Sequence, residues 1–123
     1  MQRTTPPEQA QALDANGQLL LSYPNLANPV GEVLLENERV VVQRLVVGPG
    51  QWEGIHSHPG NQLCVHVKGG EWSGRRGGES SYSGSVCEDG SVAWMGDPVP
   101  LSDEHESGNT GDTTIDQVWV TLK

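Results

Sequence analysis

The chain has 123 residues, of which 34% are hydrophobic and 19% charged, and this length suits a single domain with one core. Its formal net charge at pH 7 is −9, with only 7 Lys and Arg, so it lacks the clustered cations that nucleic acid or an anionic membrane surface requires. It contains 16 Gly and 8 Pro, which disfavour long helices. No stretch approaches the roughly 20 apolar residues of a membrane span.

The first 18 residues are polar and lack the apolar segment of a secretory signal, so we predict a cytoplasmic protein. Prolines interrupt the segment that follows. We therefore expect residues 1–30 to form an extended or partly disordered arm and residues 31–123 to form one barrel domain. Cys64 and Cys87 form no CxxC pair, which favours two free thiols in this compartment.

Short segments that favour strands follow one another along the chain. Residues 38–50 are rich in Val and end in Gly-Pro-Gly, which indicates a strand followed by a turn, and residues 115–122 form a clear terminal strand. Weaker strand signals lie at residues 31–35, 71–73, 80–86, 89–95 and 105–114. The Arg75-Arg76 pair is expected at a solvated hairpin tip. About eight to ten short strands and no confident helix predict an antiparallel all-β sandwich or barrel.

The segment of residues 62–68 alternates between two kinds of side chain. Gln62, Cys64 and His66 share one face, and Leu63, Val65 and Val67 share the other.

Three of the four histidines lie close together in the sequence, and their spacing suggests a metal site. In an extended segment, His56 and His58 have their imidazoles on one face, about 7 Å apart at the backbone. Gln62 shares their parity if no bulge intervenes, and His105 is the remaining histidine that could complete the site. His66 lies about 13 Å along the strand from Gln62, which favours a pocket-wall role over ligation. The alternative is that these are histidines of surface loops.

The segment Gly50-x5-His56-x-His58-x3-Gln62-x6-Gly69 is similar to the first motif of the cupin superfamily, with Gln where most members have Glu. It fixes five positions within twenty residues, which makes the motif specific.

A second segment, Pro100-x-Ser102-x2-His105-x3-Asn109, resembles the second cupin motif, with Ser where Gly is usual. The Gly that normally lies six residues before the Pro is absent, since position 94 is Trp. The resemblance covers residues 36–123 and is to short single-domain, type-2-like bacterial cupins.

The cupin resemblance implies a double-stranded β-helix, or jelly roll, of antiparallel strands with a metal at its centre. It implies His56, His58 and His105 as ligands, with Gln62 at the fourth position, either coordinating the ion or hydrogen-bonding behind the ligands. The expected cofactor is a divalent transition metal, and Fe, Zn, Ni, Mn or Cu all suit such donors. A similarity to polyketide-cyclase cupins with four histidines leaves ligation by His66 open.

The function expected from this resemblance is an enzyme for a small organic substrate, with dioxygenase or Lewis-acid isomerase, cyclase or lyase chemistry. A non-catalytic metal- or ligand-binding or sensing module is the alternative. Cys64, Trp52 and Trp94 are pocket candidates, although all three also suit simple core packing. No dedicated general base is evident, and His66 is the one inward titratable candidate.

A homodimer is expected, because cupins commonly dimerise through a sheet. The outward side chains Leu63, Val65 and Val67 would then pack on the opposite side of the sheet or in the subunit interface.

Overall fold

The computed structural model describes residues 12–13, 19–20 and 32–123. Within these ranges the chain is all-β, with one short 3₁₀ turn, Leu101–Asp103, and no helix that is long and apolar enough to cross a membrane. The strands are β1 Ala12–Leu13, β2 Leu19–Leu20, β3 Glu32–Glu36, β4 Val40–Val47, β5 Gln62–Lys68, β6 Gly70–Arg76, β7 Ser83–Cys87, β8 Val92–Met95, β9 His105–Asn109 and β10 Ile115–Leu122.

The predicted arm of residues 1–30 lies outside the described residues, apart from β1 and β2. These two strands pair with each other as an antiparallel ribbon.

Two antiparallel sheets make up the body of the molecule. The larger sheet has the strand order β3-β4-β10-β5-β8, and the smaller has the order β7-β6-β9. The segment before β5 extends the smaller sheet, because Trp52 bridges Gly108 of β9 and the backbone N–H of His56 donates to the carbonyl of His105. This segment carries His56 and His58, so the histidine pair lies on the smaller sheet, facing the larger one.

The larger sheet has one buried face, as the alternation of its sequence predicts. On β4 and β10, every second side chain is buried, which is the period of two expected of a half-buried strand. On β5, Gln62, Cys64 and His66 are buried, which confirms the predicted faces of that strand. The apolar core on this face consists of Leu45, Val47, Cys64 and Trp119, with Trp72 and Met95 packed against it.

Polar side chains outnumber apolar ones among the buried residues. In the described part of the chain, thirteen polar or charged residues are buried, compared with seven hydrophobic ones. Buried polar groups are costly unless they have partners, so an interior of this kind suits polar contacts better than a lipid-like guest.

The prediction that Arg75 lies at a solvated hairpin tip is wrong. β6 continues through Arg76, and Arg75 pairs with Glu106 of β9. Its Nε donates to the buried Glu106 carboxylate at 2.8 Å, and its guanidinium lies 3.7 Å from the centre of the Trp52 ring. A buried carboxylate requires such a charged partner, which is a tertiary demand that the Gly-rich local sequence does not reveal.

Candidate metal centre

Three histidines from two segments meet in the interior. His56 and His58 come from the segment before β5, and His105 opens β9. Their ring centres are 4.8, 4.9 and 5.1 Å apart, so the three imidazoles form a nearly equilateral triangle. One nitrogen from each ring lies within 4.8 Å of the others, which is a spacing that could hold one metal ion.

Two of the three imidazoles are fixed in orientation by hydrogen bonds at Nδ1. His56 Nδ1 lies 2.7 Å from the carbonyl oxygen of Gly54, and His58 Nδ1 lies 2.7 Å from Oε1 of Gln62. Both oxygens accept, so Nδ1 of each ring carries the hydrogen and Nε2 keeps its lone pair. The two Nε2 atoms then face each other at 3.1 Å.

Gln62 lies behind His58 and is fully buried. Its Oε1 accepts from His58, and its Nε2 donates to Thr121 Oγ1 at 2.9 Å. An outer partner of this kind selects the tautomer and direction of a metal-binding histidine. Of the two roles left open for Gln62, the observed contacts favour the hydrogen-bonding one.

The third histidine, His105, is partly buried, and its Nε2 lies 3.1 Å from Ser107 Oγ. Burial lowers the pKa of all three rings, and the neighbouring histidines lower the pKa of His56 further. For His58, burial and then His105 lower the pKa to about 4. The rings are therefore neutral at pH 7, as metal ligation requires.

The donor set fits a divalent transition metal. Two ligand atoms bonded to one ion at about 2.1 Å are about 3.0–3.4 Å apart, depending on the coordination geometry. The Nε2 atoms of His56 and His58, at 3.1 Å, lie within this range. Imidazole nitrogens suit Zn, Cu, Fe and Ni alike, so the donor set fits the expected cofactor class without selecting a member.

His66 lies in the interior but outside this triangle. Its Nε2 is 3.1 Å from Gln117 Nε2, and its Nδ1 is 3.4 Å from Ser91 Oγ. Gln117 in turn accepts from the indole N–H of Trp119. These contacts engage both ring nitrogens of His66, and its pocket-wall role stays a prediction.

The remaining pocket candidates either lie away from the histidines or have an unreactive side chain. Cys64 is part of the apolar core, and burial raises the pKa of its thiol well above the ordinary value; both it and Cys87 are free thiols. Trp52 covers Gly108 on the outer face of the smaller sheet, where a Cβ on Gly108 would lie 2.4 Å from the indole. Trp94 is 56% exposed and pairs with Leu63, so it lies on the outer face of the larger sheet.

Sequence reasoning missed one interior carboxyl, that of Glu53. The backbone N–H of Glu53 bonds to the carbonyl of Ser107, and that of His56 bonds to the carbonyl of His105. The three residue steps from Glu53 to His56 therefore lie opposite the two steps from Ser107 to His105. This is a β-bulge, and it reverses the face of the sheet to which the following side chains point. Gly54 has a φ of 96° within this bulge. The glycine between Glu53 and His56 is the feature of the sequence that could have indicated this bulge.

Comparison with known proteins identifies the fold. The structure is similar to a cupin domain from Bordetella pertussis Tohama I, with a TM-score of 0.60 and 23% identity over 76% of this chain and 92% of that one. It is also similar to an RmlC-like cupin family protein with a double-stranded β-helix fold from Methanocaldococcus jannaschii, with a TM-score of 0.53 and 17% identity over 76% and 78% of the two chains.

A Cupin 2 conserved barrel domain protein from Salinispora arenicola CNS-205 has a TM-score of 0.50 and 18% identity, over 98% of this chain and 87% of that one. No family model matches the sequence, and neither does any curated protein. At these identities the similarity establishes the fold. The chain has the cupin fold, an antiparallel double-stranded β-helix, as its two motifs implied.

Proposed function

We propose that the protein binds one divalent transition metal ion through His56, His58 and His105. One observation carries this proposal: the Nε2 atoms of His56 and His58 face each other at 3.1 Å while their Nδ1 hydrogens are used elsewhere. Two lone pairs at this distance repel each other unless a cation lies between them. A metal ion would convert this unfavourable pair into two ligands.

The proposed activity is that of a metal-dependent enzyme for a small polar organic substrate. Three neutral imidazoles leave the full charge of a divalent ion uncompensated, and such an ion, when bound, supplies Lewis-acid polarisation of a substrate oxygen. The protein holds the ligands in place through the Gly54 carbonyl and the Gln62 amide. Its polar interior supports a polar substrate rather than an apolar one.

Metal content after exhaustive dialysis tests the centre. We expect about one equivalent of metal in the wild-type protein after loading with zinc, and a loss of most of it in His56→Ala and His105→Ala. His66→Asn is the matched control, since His66 is also a buried histidine but lies outside the triangle. Retention of metal in both alanine variants, or its loss in the control alone, would refute the assignment.

Turnover assays separate the proposed enzyme from a non-catalytic metal-binding protein. Metal-loaded protein is supplied with small 2-oxo acids and diketones, and proton exchange at the carbon next to the carbonyl is followed by NMR while oxygen uptake is recorded. Metal-dependent exchange without oxygen uptake supports Lewis-acid chemistry. Substrate-dependent oxygen uptake supports a dioxygenase instead, and tight metal binding with neither signal supports a binding module.

A further inference from the structure

Glu53 lies on the inner wall of the barrel, beside the histidine centre. Trp52 bridges Gly108 and both lie on the outer face, so the next pair, Glu53 and Ser107, lies on the inner face. Ser107 Oγ is 3.1 Å from Nε2 of His105. Side chains opposite each other in an antiparallel pair have Cβ atoms about 5 Å apart. One residue therefore separates the carboxyl of Glu53 from a histidine of the triangle.

The carboxyl of Glu53 is buried but has no bonded partner. The residue is 4% exposed, and no hydrogen bond reaches its carboxyl within the described part of the chain. Among the described residues, Ser57 Oγ is the one fully buried polar side-chain atom that has no hydrogen-bond partner. The Glu53 oxygens also have no partner, so they are not fully buried. A buried polar group gains most from a partner, so this carboxyl would favour a polar molecule beside it.

Without a bound ion, the charges around Glu53 favour its neutral form. Burial and then the Glu106 carboxylate raise the pKa of Glu53 to about 8. Glu106 is itself balanced by Arg75 of β6, at 2.8 Å, so no cation is left over for Glu53 from that pair. Cys64 on β5 also faces it, as a neutral thiol, and His105 lies beyond Ser107.

We propose that Glu53 is the acid–base residue of this site. It is a neutral carboxylic acid that donates its hydrogen to an anionic oxygen of the guest, the small molecule bound at the three histidines. The guest class is a small organic carboxylate or enolate. This proposal rests on the proposed function, since the histidine centre is what holds the guest beside Glu53. It supplies a general acid or base, which the neutral amide of Gln62 cannot provide.

The proton transfer balances without another reagent. In the forward step the O–H bond of Glu53 breaks, its electron pair stays on the carboxylate, and the proton forms a C–H or O–H bond on the enolate guest. The reverse step removes a proton from the neutral guest and restores the acid. A neutral acid thus accepts an anionic guest without charge repulsion, and an ionised Glu53 opposes it.

The first test reads the protonation state of Glu53 without any metal. Protein labelled with ¹³C at the Glu carboxyl carbons is titrated by NMR, and the Glu53 signal is the one that is lost in Glu53→Gln. We expect the chemical shift of a protonated carboxyl at pH 7. An ionised signal at pH 7 overturns the proposal whatever the state of the metal site.

The second test measures binding of acetate, as the simplest carboxylate, to the zinc-loaded protein at pH 6.5 and pH 9. If only the neutral acid accepts the anion, wild-type affinity falls more between these values than that of Glu53→Gln does, because Glu53 loses its proton as the pH rises. Glu53→Leu, which removes the donor, binds acetate about tenfold more weakly at pH 6.5. Glu88→Gln, at an exposed position, is the control and behaves as the wild type.

Equal pH dependence in the wild type and Glu53→Gln overturns the proposal, as does wild-type affinity in Glu53→Leu. Absence of acetate binding by the wild type at both pH values overturns it too. A protein that takes up no zinc refutes the metal centre instead. In that case the acetate titration is run on the metal-free protein, and the same comparison of variants decides the role of Glu53.

Discussion

The buried carboxyl of Glu53 gives folding stability a pH dependence that one substitution should remove. Burial and Glu106 raise the pKa of Glu53 from 4.5 to about 8 in the folded chain. Between these two pH values the folded chain keeps a proton that the unfolded chain has released. The stability contributed by the protonated group is therefore complete below pH 4.5 and is lost as the pH rises through about 8.

The size of this effect follows from the difference between the two pKa values. From 4.5 to about 8 is about 3.5 pH units, and each unit corresponds to about 1.4 kcal/mol, which gives an upper limit of about 5 kcal/mol. Because a protein relaxes around a newly ionised buried group, we expect about 2–5 kcal/mol in practice. Gln has the shape of the protonated acid but does not titrate, so Glu53→Gln should lose this dependence.

Urea unfolding of EDTA-treated protein between pH 5 and pH 9 measures the effect. Taken relative to pH 5, the stability of Glu53→Gln should rise above that of the wild type by about 2–4 kcal/mol at pH 9. The lowered pKa values of the three histidines destabilise the fold as the pH falls, but this contribution is common to both proteins and cancels in the difference. Glu88→Gln should follow the wild type. Parallel curves for the wild type and Glu53→Gln would refute the reasoning.

Three further predictions concern the support of the site and the outer surfaces. Gln62→Ala removes the acceptor that orients His58, and zinc affinity, measured by competition with a chelating dye, should fall about 10–100-fold; unchanged affinity would mean that the amide does not orient the ring. Gly108→Ala forces a Cβ within 2.4 Å of the Trp52 indole and should destabilise the fold by about 1–3 kcal/mol in urea unfolding. Gly74→Ala, where the Cβ would have 3.9 Å of clearance, should change the stability little, and equal effects of the two substitutions would contradict the packing. The expected homodimer stays a prediction. Trp94→Glu, on the exposed outer face of the larger sheet, should convert the dimer to a monomer in light scattering, and a monomeric wild-type protein would refute the prediction.

The strands of the larger sheet could be predicted from the sequence because their two faces meet different environments. β10 was placed correctly at residues 115–122, since its alternation is uninterrupted and one face is buried. β6 was expected to be short because Gly and Arg carry no strand signal. It extends to Arg76 because β9 pairs with it as far as His105. Pairing partners distant in the sequence decide such strands, and local pattern cannot show them.

The site, like the fold, has some features that the sequence predicts and others that it does not. The spacing of His56, His58 and His105 was sufficient to predict that they meet, because a fold-specific motif fixes the positions. The role of Gln62 could not be chosen from the sequence, since either role requires the same residue and only the place of His58 Nδ1 distinguishes them. Glu53 was missed because the bulge at Gly54 reverses the parity on which inward-facing residues were assigned.

The position of a bound ion tests the central claim most directly. We expect a crystal of the zinc-loaded protein, measured at the zinc absorption edge, to show one strong anomalous peak about 2.0–2.1 Å from a nitrogen of each of His56, His58 and His105. Gln62 should keep its hydrogen bonds to His58 and Thr121 rather than contact the ion. A peak at another site, or a fully occupied ion that contacts fewer than three of these histidines, would contradict the account.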